Sequence, residues 1–198
     1  KVGGKIRIGF IFRHAKLILF SALVGGVSFY GLPNFLTLYG KKSGLDDGQA
    51  LFLMTAFMMG SVILGLLISL CASFIHRQSM VLLCVFMAVV CAVFLSLAVF
   101  TNYIFALCLL FVWGGCMGGI YAIGLTVIGE RFNSEDQLSS NMSYTLMDAL
   151  GGIFGLIMIG IFIDLLGDDG MVYVIVAGGC LFMAYTVQQM VNRKRMFE

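Results

Sequence analysis

The sequence predicts an all-α integral membrane protein, folded as a bundle of six transmembrane helices. Its residues are 61% hydrophobic and only 11% charged, whereas soluble globular domains carry about 25% charged residues. No Asp, Glu, Lys, Arg or His occurs from Gln78 to Gly129. Because a transmembrane helix needs about 20 apolar residues, that run alone is long enough for two crossings.

Short polar segments divide the apolar sequence into six predicted spans. The clearest dividers are the glycine-rich turn Gly40–Gly48 and the loop His76–Gln78. The predicted spans cover residues of about 17–39, 49–75, 79–100, 103–128, 137–166 and 171–191. The six-span bundle therefore occupies residues 17–192, between a basic arm (residues 1–16) and a tail (residues 193–198).

The distribution of Lys and Arg predicts the orientation in the membrane. Six spans place both termini on one side, together with the loops that contain Arg77 and Arg131. Ten of the 12 Lys and Arg residues lie on that side, and only Lys41 and Lys42 lie on the other. Because loops rich in Lys and Arg remain in the cytoplasm, both termini are expected to be cytoplasmic.

The basic arm carries five Lys and Arg residues interleaved with Ile and Phe. This composition is typical of a cytoplasmic linker that lies at the lipid headgroups. A specific lipid or nucleic-acid site is the alternative, and no other feature supports it, so no nucleic-acid partner is predicted. The chain begins at Lys1 without an initiator Met or a signal-peptide pattern, so we expect it to be a segment of a longer protein.

The first span contains the only proline of the chain, Pro33. On a helical projection, Tyr30, Pro33 and Asn34 fall within an arc of roughly 100°. Proline frees a backbone carbonyl and bends a helix, which membrane helices tolerate where neighbours or water satisfy that group. The bend is either a packed kink or part of a cavity wall, and in the second case Tyr30 and Asn34 are candidate cavity residues.

The fourth span has four glycines within six positions, between Trp113 and Tyr121. They form overlapping G-x-x-x-G pairs, a pattern that lets the backbone of another helix approach closely. The pattern therefore predicts close helix packing. An aromatic wall for a substrate, built from Trp113 and Tyr121, is the alternative.

Asp148 is the only charged residue well inside the fifth span. It shares an arc of roughly 100° with a set of small and polar residues: Asn141, Tyr144, Gly151, Gly152 and Gly155. A carboxylate in hydrocarbon costs at least about 2.5–3.5 kcal/mol, so this arc should face protein or a water-filled cavity. There Asp148 either binds a proton or a cationic solute, or it is a structural carboxyl bonded to Tyr144 or to a group outside this chain.

No catalytic or cofactor-binding pattern is visible. There is no P-loop, no dinucleotide fingerprint, and no buried Ser–His pair or second buried Asp for an intramembrane protease. The six cysteines lie in apolar runs and fit the role of small packing residues. His14 and His76 flank spans. Neither an enzyme, nor a cofactor, nor a metal site is therefore predicted.

Several features follow one another along the chain in a characteristic order. They are the basic arm, F-Y-G-L-P-N-F-L-T-L-Y-G (Phe29–Gly40), the loop Ser69–Gln78, the glycine-rich fourth span, G-E-R-F…L-S-S-N (Gly129–Asn141) and G-I-F-I-D-L-L-G (Gly160–Gly167). In this order they resemble the C-terminal six-helix half of a major facilitator superfamily transporter, most closely the bacterial drug- or sugar-efflux type. The chain departs from the family pattern in two places. Of the D-R-x-G-R-R loop motif only Arg77 is retained, and Gly155-Leu156 stands where a Gly-Pro pair is common.

The resemblance implies a secondary transporter made of two six-helix bundles that rock around a central site. Its cargo would be a small organic solute, with Asp148 as the candidate residue for coupling to protons. The first, second, fourth and fifth spans would line the cavity, and the almost wholly apolar third span would lie outside with the sixth. The implied partners are the lipid bilayer and an N-terminal six-helix half, or a second copy of the chain. The implied location is the bacterial cytoplasmic (inner) membrane.

Three charged residues at the cytoplasmic ends of spans, Arg77, Glu130 and Arg131, are candidates for a cytoplasmic gate. Ordinary solvated loop charges are the alternative. The reduced loop motif also leaves open a second function, in which the protein keeps the fold but senses, binds or assembles without transporting.

Overall fold

The computed structural model describes residues 16–131 and 134–195, which form helices and short turns without any strand among them. Six stretches in this part are long and apolar enough to cross a membrane, and we call them the first to sixth spans: Ile18–Lys42, Asp47–Cys71, Arg77–Val99, Tyr103–Glu130, Gln137–Leu166 and Gly170–Gln189. The predicted class, an all-α bundle of six transmembrane helices, is confirmed. The predictions for residues 1–15 and 196–198 fall outside the described residues.

The first span is built from three helical segments, whereas each of the other five is a single α-helix. An α-helix at Lys16–Gly26 continues into a π-helical turn at Val27–Gly31 and a second α-helix at Leu32–Lys42. The remaining helices are Asp47–Cys71, Arg77–Thr101, Tyr103–Arg131, Ser134–Leu166 and Gly170–Arg195.

The π-helical turn lies where Pro33 demands a departure from α-helical geometry. Proline lacks an N–H, and its ring collides with the carbonyl group four residues earlier, here that of Phe29. The wider turn accommodates this conflict, as π turns within α-helices do. Regular bonding resumes at Leu32, whose N–H donates to the Ser28 carbonyl. Pro33 itself is buried, so the bend at the proline is packed.

Side-chain caps fix where two of the spans begin. At the second span, a carboxylate oxygen of Asp46 accepts from the Gly48 N–H, and Gln49 Oε1 accepts from the Asp46 N–H, both at 3.3 Å. At the fourth span, Asn102 Oδ1 accepts from the Ile104 N–H at 3.0 Å. These bonds satisfy N–H groups that have no partner within the helix.

Glycines bring the second and fourth spans into backbone contact. A Cβ atom on Gly60 would overlap the carbonyl group of Phe111, and one on Gly114 would overlap the carbonyl group of Phe57. Only glycine permits this separation between helices. The close packing predicted from the glycine-rich fourth span is what the structure shows, and we call this contact the second–fourth seam.

The first and fifth spans meet through a second seam of the same kind. A Cβ atom on Gly26 would overlap the carbonyl oxygen of Asp148, and one on Gly151 would overlap the carbonyl oxygen of Leu23. We call this contact the first–fifth seam. The third span packs on the fourth, and the sixth span packs on the third and the fifth.

The apolar core lies around the middle of the second, third and fourth spans, where Phe57, Leu95, Leu110 and Trp113 are fully buried. Outside this core, the second and fifth spans are the least buried of the six. Their outer faces carry large exposed apolar side chains such as Phe52 and Phe154.

Candidate functional site

A cavity of about 350 Å³ lies between the two seams, where the first, second, fourth and fifth spans come together. Its volume is at the lower end of the range for small-molecule pockets, about 300–1,000 Å³. The lining residues are Ser21, Ala22, Gly25, Phe29, Tyr30, Ser61, Met117, Gly118, Ile120, Tyr121, Tyr144 and Asp148.

The one charged residue in the cavity wall is Asp148, which lies on the fifth span. The residue is 5% exposed, because its backbone lies against Gly26 in the first–fifth seam. The Tyr30 hydroxyl lies beside its carboxyl group. Among the described side chains, no Lys, Arg or His forms an ion pair with Asp148. The carboxyl therefore lacks a cationic partner within this part of the chain.

Tyr30 reaches the cavity from the π-helical turn of the first span. Its ring lies over Gly152, where an added Cβ atom would be 2.8 Å from Tyr30 Cδ2. The side chain is 42% exposed, so one side of the ring packs on the fifth span and the other is open. The irregular turn and the glycine together bring a phenol next to Asp148.

Tyr144 is fully buried and links the fifth span to the fourth. Its hydroxyl donates to the Ile120 carbonyl at 3.4 Å and occupies the space that a side chain on Gly124 would need. Its ring packs on that of Tyr121, with centroids 5.6 Å apart. A bond from Tyr144 to Asp148 was one of the alternatives for this carboxyl, and the Tyr144 hydroxyl instead donates to a backbone carbonyl.

The structure brings four of the predicted cavity residues together: Tyr30, Tyr121, Tyr144 and Asp148. The other three lie elsewhere. Trp113 is in the core, edge-on to Phe57 at 6.4 Å, Asn34 is exposed and donates to the Tyr30 carbonyl at 2.6 Å, and Asn141 is half-buried away from the cavity wall.

Four further lining residues were not predicted from the sequence: Ser21, Phe29, Ser61 and Met117. Ser21 and Phe29 are spaced by eight and share a helix face with Gly25, so the available signal was the two small residues Ser21 and Gly25 on one face, one turn before an aromatic residue. Ser61 and Met117 lie in apolar surroundings, and no pattern distinguishes them from packing residues.

The proposed gate residues Arg77 and Glu130 form an ion pair in which two guanidinium nitrogens contact both carboxylate oxygens. The pair joins the start of the third span to the end of the fourth. The Arg77 side chain is 28% exposed and that of Glu130 is 60% exposed. The side chain of Arg131 lies outside the described residues.

At the opposite end of the bundle, a second ion pair joins the first span to the loop before the sixth. Lys42 Nζ lies 2.6 Å from Asp168 Oδ1. Nearby, the Ser96 hydroxyl donates to Asp169 Oδ1 at 2.8 Å. Each end of the bundle therefore has a polar link between helices. The link between Arg77 and Glu130 joins two of the predicted gate candidates, whereas the link at the opposite end was not predicted.

The sequence of residues 2–156 matches the family model described as the Major Facilitator Superfamily. That match extends over most of the chain, from the basic arm through the half of the fifth span that carries Asp148. This chain belongs to the Major Facilitator Superfamily. It is accordingly an integral membrane protein of a transporter family, and the four spans around its cavity are those that the resemblance implied. No curated protein matches the sequence.

Proposed function

We propose that this chain is one half of a secondary transporter that moves a small organic solute by alternating access, coupled to protons through Asp148. The observation that supports this proposal is the cavity of about 350 Å³ with a buried carboxyl in its wall. Ionisable groups inside membrane spans are rare and mark ion or substrate pathways.

The proposed coupling of transport to protons is supported by the neighbours of Asp148. The titratable groups that share its cavity are phenols: Tyr30 on the first span, Tyr121 on the fourth and Tyr144 on the fifth. None of them can neutralise a carboxylate. When the cavity closes to water, the charge of Asp148 must therefore be matched by a proton or by the cargo, since an unpaired buried charge is costly.

A second six-helix bundle is proposed to cover the open side of the cavity. The second and fifth spans contribute to the cavity wall, yet they are the least buried spans, and their exposed faces are apolar. An N-terminal half of the same protein, or a second copy, would place the cavity between two bundles near the middle of the membrane. The Lys and Arg distribution supports cytoplasmic termini. The proposals of a bacterial inner membrane and of export come from the resemblance to drug- or sugar-efflux members of the family.

Arg77 and Glu130 are proposed to hold the cytoplasmic ends of the third and fourth spans together during part of the cycle. Their two-point contact is the geometry in which Arg binds carboxylates best. Arg131 neighbours Glu130 in sequence and is proposed to compete for it. Because Arg77 is engaged in this contact, the one retained residue of the loop motif still links two helices.

The test is gradient-driven transport by the full-length protein in proteoliposomes, with a panel of labelled cationic, neutral and anionic solutes. Asp148→Asn is compared with Asp164→Asn, the same change at an exposed position of the same helix. We expect Asp148→Asn to abolish accumulation against a gradient while downhill movement persists, and Asp164→Asn to behave as wild type. Full pH-driven accumulation by Asp148→Asn would refute the coupling role. A wild-type protein that binds a solute but moves none would instead support the sensing or assembly function.

A further inference from the structure

The cavity wall carries charge of one sign only, which is negative. Its twelve lining residues include one carboxyl, that of Asp148, and no Lys, Arg or His. A wall with one sign of charge attracts solutes of the opposite sign and disfavours those of the same sign. Anions are therefore poor candidates for the solute that this wall contacts.

The two serine hydroxyls in the wall have their protons turned away from the cavity. Ser21 Oγ donates to the Ile18 carbonyl and Ser61 Oγ donates to the Met58 carbonyl, each at 2.7 Å. A hydroxyl has one proton and two lone pairs. What remains on both serines is therefore an acceptor, and since Ser21 also lies next to the Tyr144 hydroxyl, the acceptor of Ser61 is the more accessible of the two.

Two of the three tyrosines in the wall also have an acceptor within the protein for their hydroxyl proton. The Tyr144 hydroxyl is directed at the Ile120 carbonyl, and the Tyr30 hydroxyl lies beside the Asp148 carboxylate, its natural acceptor. Tyr121 is the one lining phenol whose proton is not directed at a protein acceptor in the described residues. The wall therefore presents a surplus of lone pairs and few free donors.

The rest of the wall is aromatic and apolar. The rings of Phe29 and Tyr30 meet edge to face at 5.3 Å, and those of Tyr121 and Tyr144 pack on each other with their centroids 5.6 Å apart. Faces of such rings attract organic cations. Met117 adds a flexible apolar surface that adapts to irregular shapes.

We infer that the solute of this cavity is a protonated amine, that is, an organic cation with N–H donors and an aromatic or apolar body. The carboxylate matches its charge, the hydroxyl lone pairs accept its N–H groups, and the rings cover its body. This inference rests on the proposed transport function of the same cavity, for which it names the class of cargo.

The experiment measures binding of four probes with one phenyl body to purified full-length protein, by equilibrium dialysis. The probes are phenethylamine, its trimethylammonium derivative, phenethyl alcohol and 3-phenylpropionate. We expect phenethylamine to bind at least about tenfold more tightly than the alcohol, because hydrogen bonds to charged groups have that effect. The trimethylammonium compound keeps the charge but has no N–H, so it should bind more weakly than the amine and more tightly than the alcohol. The carboxylate should bind least.

Variants of Asp148 test whether the preference for the amine over the alcohol arises in the cavity. Asp148→Asn should remove the preference for the amine over the alcohol, Asp148→Glu should retain part of it, and Asp164→Asn should leave it unchanged. Absence of amine binding, equal or tighter binding of the alcohol or the carboxylate, or an unchanged preference in Asp148→Asn would each overturn the inference. If Asp148→Asn does not yield folded protein, the graded response of Asp148→Glu against Asp164→Asn decides in the same way.

The binding assay also separates this inference from the proposed function. Amine binding that depends on Asp148, in a protein that moves no probe in proteoliposomes, would support the ligand class and overturn the transport function. Gradient-driven movement of a neutral or anionic solute, without amine binding, would do the reverse.

Discussion

Two neighbouring glycines of the first span allow a stringent test of the first–fifth seam, through Gly26→Ala and Gly25→Ala. A Cβ atom on Gly26 would overlap the Asp148 carbonyl oxygen, and it would lie 2.9 Å from that carbonyl carbon and 3.1 Å from Gly152 N. A Cβ atom on Gly25 would meet only Ile120 Cγ2, at 3.9 Å. All the atoms facing Gly26 are backbone atoms, so no side-chain rotation can make room.

The two substitutions are expected to change the stability of the protein in opposite directions. Replacing Gly by Ala within a helix favours the helix by about 1 kcal/mol, and at position 25 nothing opposes that gain. At position 26, forcing a methyl group into a closed contact costs about 1–3 kcal/mol. The net result for Gly26→Ala should therefore be a loss of stability of up to about 2 kcal/mol, together with reduced transport, because the displaced backbone carries Asp148.

The assay is the midpoint of unfolding of the purified full-length protein in detergent, as the fraction of SDS is increased. Gly178→Ala on the sixth span is a third variant, since its Cβ atom would have no neighbour within 4 Å. Gly25→Ala and Gly178→Ala should unfold at or above the wild-type midpoint, and Gly26→Ala clearly below it. Equal midpoints for all three variants would refute the backbone contact between the first and fifth spans.

Three further predictions concern the gate, the core and the cavity wall. Charge reversal of Arg77 or Glu130 alone should lower transport several-fold and the double reversal should restore most of it; no rescue in the double variant would exclude the gate. Trp113→Phe should leave transport unchanged and cost about 1–3 kcal/mol of stability in the unfolding assay, because the smaller ring leaves a void in the core while no hydrogen bond of the indole N–H within the described residues is lost; a large loss of solute binding would place Trp113 in the site after all. Gly124→Ala should displace the Tyr144 ring and reduce probe affinity in equilibrium dialysis, and unchanged affinity would show that the ring position is irrelevant.

The six helices could be predicted because the physical requirement is simple. A helix that crosses lipid needs an unbroken apolar run of sufficient length, and such runs can be read directly from the sequence. The glycine-rich fourth span was equally informative, since glycines at intervals of four have few uses other than close contact. The π-helical turn at Val27–Gly31 could not be predicted, because Pro33 shows that regular α-helical bonding is interrupted but not which local geometry accommodates the interruption.

Residues of the candidate site could be predicted only where exposure of their side chains to lipid would cost much free energy. Asp148 and its arc had to avoid lipid, so their orientation followed from energy alone. Trp113 and Asn34 carry no such constraint: an indole packs well in a core, and an amide can bond its own helix, as Asn34 does. Ser21 and Ser61 were missed because a serine that bonds its own backbone is tolerated almost anywhere in a membrane helix.

The two seams also determine which parts of the cavity can move relative to one another. Tyr30 and Asp148 belong to the first–fifth pair, while Ser61, Met117 and Tyr121 belong to the second–fourth pair. Within each pair the backbones touch, so each pair should move as a unit. Between the pairs, the bond from Tyr144 to the Ile120 carbonyl is one of the few polar links beside the cavity. Away from the cavity the two units also pack together, where Gly40 of the first span meets Ala50 and Leu53 of the second. A solute that bridges Asp148 and Tyr121 would therefore connect the two units on the cavity side, and its release would leave them free to separate on that side.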